Sequence, residues 1–168
     1  MSYDSFPTLA GEIAAGVIEG RPRFPFISWA QQNRFAHPEW AVPFLRNCGS
    51  AAEAYLVRPF LLREGARLVG DQVVAGDTRL ALQVRVRSFR VDLVAYRGDM
   101  ALAIEVDGMG FHHRSSDQVA RDYLRERRIV FSGYTVIRFT AVEAFRDSAE
   151  CWRQIDAILT SRAVARPA

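Results

Sequence analysis

Three carboxylates, Asp92, Glu105 and Asp107, lie within or at the end of segments that otherwise alternate apolar and polar residues as β-strands do. The stretch ALAIEVDGMGFHH, residues 101–113, puts Leu102, Ile104 and Val106 on one face and Glu105 and Asp107 on the other. Upstream, Gly98-Asp99 suits the centre of a two-residue hairpin turn. With that turn Arg97 faces Met100, Asp92 faces Glu105, and Arg90 faces Asp107. Two opposed carboxylates stand with Cβ atoms roughly 5 Å apart and repel each other unless positive charge lies between them. A divalent cation supplies that charge, and oxygen ligands without cysteine favour Mg²⁺ or Mn²⁺ over zinc. The competing reading needs no metal: Arg90 pairs with Asp107, Glu105 finds another arginine, and Asp92 caps a backbone group.

Other chemistry-bearing residues lie on helices. Ser50 and Glu53 have the spacing of a capping box, which explains Glu53 without an active site unless its carboxylate turns toward the sheet. Arg114, Arg121, Arg125 and Arg128 recur at near-helical spacing, suited to phosphate contacts that position a nucleic-acid backbone without reading bases. The bland alternative is a solvated helix face, with Asp117 and Arg121 as a supporting pair.

The elements that must position these residues read as helix, antiparallel strands, helix, strand, helix. A helix is expected over Leu9 to Ile18, followed by a Pro- and aromatic-rich stretch. A second begins after the Ser50 cap, and Pro59 should kink or split it. Residues 80–96 alternate as strands with a bend near Ser88, and 100–106 alternate again. A helix from about Asp117 to Phe131 stops at Gly133, the strand YTVIRF follows, and a last helix runs from about Ala141 to Leu159. At 168 residues and 49% hydrophobic content the chain suits one sizeable core. The division expected is an accessory region over 1–49, a catalytic domain over 50–160 and a frayed tail over 161–168. Aromatics between Phe24 and Trp40 read mainly as core; the alternative is a docking surface, and a protein partner or a homodimer through the N-terminal region follows from it.

The net charge of +3 is compatible with a polyanionic partner without requiring one. All 22 basic residues other than histidine are arginine, so a mechanism that needs an ammonium group must find a substitute. Cys48 and Cys151 are far apart and outside any zinc spacing, which reads as two buried reduced thiols. With Asp4, Glu12 and Glu19 near the start and no long apolar run, no signal peptide or membrane span is expected, and the location is cytoplasmic.

RVDLV, then LAIEVDGMGFHH, then RDYLRERRIVFSGYTVIRFTAVE together resemble the PD-(D/E)XK nuclease superfamily, in particular domains similar to very-short-patch repair endonucleases. The resemblance runs from about Gln83 to Glu143 and extends back to Ser50. It implies an α/β restriction-endonuclease-like fold, a mixed central sheet with an antiparallel hairpin flanked by helices. It also implies a metal-dependent endonuclease acting on DNA with Mg²⁺ or Mn²⁺, in repair or in defence. By the resemblance Asp92 matches the central metal-binding aspartate, Glu105 the acid of the triplet, and Glu53 an upstream acid, while the main-chain carbonyl of Val106 is a metal ligand. Asp107 stands where the triplet has lysine and where the very-short-patch enzymes have histidine. His112 matches a second histidine of those enzymes, a candidate proton-transfer group with an unperturbed pKa near neutrality. Without the lysine, either His112 or Arg90 compensates, or catalysis has lapsed and a nucleic-acid-binding or regulatory module remains.

Overall fold

A computed structural model describes residues 17–18, 21–22, 24–108 and 115–161. Val17–Ile18 (β1) and Arg21–Pro22 (β2) pair antiparallel, so the last two residues of the helix expected over 9–18 are strand; its residues 9–16 lie outside the described residues. Helix α1 (Phe26–Gln32) and a short helix α2 (Val42–Leu45) precede α3 (Ala51–Leu61), which starts at the Ser50 cap, passes through Pro59 and stops two residues later.

The sheet has six strands in sequence order: β3 (Arg67–Val69), β4 (Gln72–Ala75), β5 (Thr78–Val86), β6 (Phe89–Arg97), β7 (Met100–Asp107) and β8 (Thr135–Thr140). Each pair is antiparallel except the last, where helix α4 (Ser116–Phe131) carries the chain back so that β8 runs parallel to β7. This is the mixed sheet expected. The hairpins β3–β4, β4–β5 and β6–β7 turn on Gly70-Asp71, Gly76-Asp77 and Gly98-Asp99, with positive φ at each glycine, as a turn matched to strand twist requires. The β5–β6 hairpin closes on Arg87-Ser88, so the bend near Ser88 is a full turn, and Arg87 takes the same positive φ of 55°.

The β6–β7 register is the one the turn dictates, from Arg97 opposite Met100 to Leu93 opposite Ile104. On β5 and β6, however, simple alternation fails at one level. Leu80 and Leu82 pack into the main core while Val84 and Val86 belong to a smaller cluster; on β6, Leu93 and Ala95 join the former and Val91 the latter. The faces exchange at Gln83, whose φ of 53° interrupts the extended backbone between the pairs Leu82–Leu93 and Val84–Val91. Asp92 lies on the neighbouring strand at this break.

The main core lies on one face, where α1, α3 and helix α5 (Ala141–Ser161) pack against Leu93, Leu102, Ile104 and Phe139. Phe24, Phe26, Trp29 and Phe35 are buried in that same core. Trp152 of α5 stacks on Phe60 of α3 with ring centroids 4.7 Å apart. Helix α5 is broken at Asp147, whose carboxylate accepts the Glu150 N–H at 2.8 Å and so starts the second segment. On the other face α4 covers the small cluster through Ile129. Both cysteines are buried and free.

Candidate active site

Asp92 opens the site. Its Oδ2 accepts the Val106 N–H at 3.0 Å, one step past the last pair of the β6–β7 ladder, so a side chain takes over where backbone pairing ends. Glu105, on the α4 face of β7, is 6% exposed. Its Oε1 accepts from the Arg125 guanidinium of α4 at 2.8 Å, and the same nitrogen donates to the Arg90 carbonyl at 2.6 Å. Burial raises the Glu105 pKa and the Arg125 hydrogen bond opposes it, while the charge of Asp92 raises it further.

Glu53 reaches the site from the opposite face. It is 5% exposed, and its Oε2 accepts the Gly49 N–H at 2.7 Å and the Gln83 side-chain amide at 2.9 Å. Its own N–H donates to Ser50 Oγ at 3.2 Å, so one residue serves as helix cap and turns its carboxylate to the sheet. Gly49 permits this, because a Cβ there would stand 2.8 Å from Glu53 Oε1. Burial first, then the charge of Asp92, pushes the Glu53 pKa up to about 8.

Asp107 lies at the end of β7, where the Arg138 guanidinium of β8 approaches at 3.5 Å and also donates to Glu126 of α4 at 3.2 Å. Glu143 caps α5 by accepting the Thr140 N–H at 2.7 Å. Arg121 and Arg128 are exposed on α4, whereas Arg125 turns inward to Glu105. His112 and Arg114 lie outside the described residues. The fold therefore brings Glu53, Asp92, Glu105, Val106 and Arg125 together and leaves Arg121 and Arg128 on the surface.

The donor set suits a hard divalent cation: carboxylate oxygens, two of them on side chains whose pKa is raised first by burial and further by the charge of Asp92. Among the described residues no three of the His, Cys, Asp and Glu side chains form a ready cage. Two carboxylates with a main-chain carbonyl fit Mg²⁺, which retains several waters.

A model of the restriction-endonuclease-like family REase_MTES_1575 matches residues 66–159, more than half of the chain. The chain belongs to this family. No curated protein and no solved structure gives a significant match. The REase_MTES_1575 match spans Gln83, Asp92, Glu105, Asp107, Arg125 and Arg138 and begins after Glu53. It marks the domain as a nuclease fold with DNA as the substrate it suggests. Among the described residues no helix is long and apolar enough to cross a membrane.

Two residues around these acids take contacts that pattern reading does not assign them. Gln83 looks like an ordinary polar position in an alternating strand, and only its left-handed backbone turns it to Glu53. Arg125 reads as one of a row of helical arginines, and only the packing of α4 singles it out.

Proposed function

We propose that the chain is an endonuclease that hydrolyses DNA phosphodiester bonds with Mg²⁺ or Mn²⁺. Its subtype is similar to the very-short-patch repair enzymes, and it works in repair or in defence against foreign DNA. The observation that carries this reading is Asp92 of β6, whose Oδ2 accepts the Val106 N–H, beside two buried carboxyl groups, Glu53 from one face of the sheet and Glu105 on the other. Burial and like charge cost a fold stability, which makes such a cluster a candidate functional site.

Asp92, Glu105 and the Val106 carbonyl would hold the metal. A strand residue sends its N–H and C=O to the same side, so the Val106 carbonyl leaves toward β6 with the N–H that Asp92 accepts. A bound divalent cation polarises the scissile phosphate and lowers the pKa of the attacking water. Glu53 keeps its proton up to about pH 8, which limits the negative charge facing an incoming phosphate. His112, four residues beyond Gly108, moves the proton in this reading. Asp107 is held by Arg138, and Arg114, Arg121 and Arg128 supply backbone phosphate contacts.

A second reading, a nucleic-acid-binding or regulatory module without turnover, is favoured by the Arg125–Glu105 ion pair and by an acid, Asp107, in the lysine position. Incubation of supercoiled plasmid with Mg²⁺ or Mn²⁺, beside EDTA, Asp92→Ala and Glu105→Ala, separates the two. The endonuclease nicks only with metal and loses about 100-fold or more in either variant. DNA binding that is intact and indifferent to metal, without nicking, establishes the second reading.

A further inference from the structure

Phosphodiester hydrolysis concentrates negative charge on the phosphate in its transition state, and enzymes answer it with fixed positive groups besides a metal. This chain has no lysine to offer. Its arginines near the site are unequal. Arg138 spends its Nε on Glu126 and turns Nη1 to Asp107, two carboxylates that neutralise it. Arg121 and Arg128 are exposed on α4. Arg125 differs from all three. One terminal nitrogen, Nη2, uses both of its hydrogens, to Glu105 Oε1 at 2.8 Å and to the Arg90 carbonyl at 2.6 Å, so the guanidinium is fixed across β6 and β7.

A guanidinium carries five N–H donors in a rigid fork. The other three of Arg125 take no partner among the described residues, and its side chain is 20% exposed. Glu105 likewise has a second oxygen, Oε2, without a hydrogen bond among the described residues. One edge of the Arg125–Glu105 pair thus locks the geometry and leaves the remaining guanidinium donors and the second carboxylate oxygen for other partners.

We propose that Arg125 is a catalytic residue of this site: its guanidinium, anchored on Glu105 and the Arg90 carbonyl, binds a non-bridging oxygen of the scissile phosphate and stabilises the charge developed there. The inference rests on the endonuclease reading and adds to it a residue delivered by α4. It differs from a backbone-positioning role, because a group that acts on the transition state changes kcat, whereas one that only holds the duplex changes KM.

The test compares wild type, Arg125→Gln and Arg125→Lys in steady-state nicking of plasmid with Mg²⁺, with Mn²⁺ binding followed by electron paramagnetic resonance and thermal melting in EDTA. The expected result for Arg125→Gln is a kcat loss on the order of 10²–10³ with KM unchanged, a melting temperature like that of wild type, and Mn²⁺ bound as tightly or more tightly, since a competing positive charge is gone. Arg125→Lys recovers part of kcat, because it restores charge without the fork. Wild-type kcat in Arg125→Gln overturns the inference. So does a loss confined to KM, which makes Arg125 a positioning contact, and so does loss of Mn²⁺ binding, which makes it a support for Glu105. Wild type that binds Mn²⁺ and DNA but cuts nothing overturns the endonuclease reading and this inference together.

Discussion

Helices α3 and α4 each deliver one ionisable side chain to the neighbourhood of Asp92 and Glu105, and they do so from opposite conditions. Eight of the eleven residues of α3 are buried, against only Ile129 of the sixteen in α4. Glu53 arrives on a helix embedded in the main core, where its carboxylate is stripped of water and its pKa climbs. Arg125 arrives on a helix wet along most of its length, with Tyr123 63% and Phe131 81% exposed. Desolvation is the largest cause of the Glu53 shift, and it comes from packing that keeps water from the carboxyl group. An anchored guanidinium needs only two strong hydrogen bonds, so a loosely packed helix suffices to carry it. Disturbing α3 should therefore damage the fold, and disturbing α4 should damage the site.

The largest contrast is expected from truncating a leucine on each helix. Leu56→Ala, at a fully buried position of α3, should cost about 2–5 kcal/mol in urea denaturation. Leu124→Ala on α4, 43% exposed, should stay within about 0.5 kcal/mol. Equal losses would break the comparison.

Glu53 offers a smaller effect with a definite sign. In the unfolded chain its carboxyl loses the proton near the ordinary value of 4.5, but in the fold it holds the proton up to about pH 8. Between those values the folded state binds more protons than the unfolded one, so stability falls as pH rises through the window. In EDTA, Glu53→Gln should flatten that fall and melt higher than wild type at pH 8.5, with little difference at pH 4.5. A wild-type slope that survives the substitution would mean that Glu53 is not desolvated by α3.

Removing the caps should give the smallest effects, about 1 kcal/mol each. Ser50 accepts the Glu53 N–H at the start of α3, and Ser115 forms a full capping box with Gln118 at the start of α4. Ser50→Ala should appear as a global loss in urea denaturation. Ser115→Ala should leave the global midpoint in place and speed hydrogen exchange in the first turns of α4, because that helix opens locally. A global loss from Ser115→Ala would tie α4 to the core more closely than its exposure allows.

Much of the fold was legible because it is locally encoded. A turn dipeptide and a period of two predict the β6–β7 register, and the helical pattern with a glycine stop bounds α4 to within a residue or two. The same dipeptide at Gly70-Asp71 and Gly76-Asp77 makes the β3–β4–β5 hairpins, a signal present in the sequence and passed over. The strand at Val17–Ile18 and the break in α5 at Asp147 escaped because short apolar runs and polar helix interiors are ambiguous without their neighbours. Of the site, the turn predicts Asp92 opposite Glu105, and the observed ladder ends at the preceding pair, Leu93 opposite Ile104. The cap at Ser50 was legible, but not whether the Glu53 carboxylate would leave it.

The sequence by itself determined the hairpin register from Arg97 opposite Met100 to Leu93 opposite Ile104, since alternation and turn geometry act between near neighbours along the chain. Only the tertiary structure decided that Glu53 enters from the core face, that Gln83 abandons extended backbone to hold it, and that Arg125 rather than another arginine closes on Glu105. Those choices depend on which helix packs on which face and on how much water the packing removes. Charge and desolvation act through space, across chain separations of 30 residues for Gln83 and Glu53 and 20 for Arg125 and Glu105, where no local period carries the information.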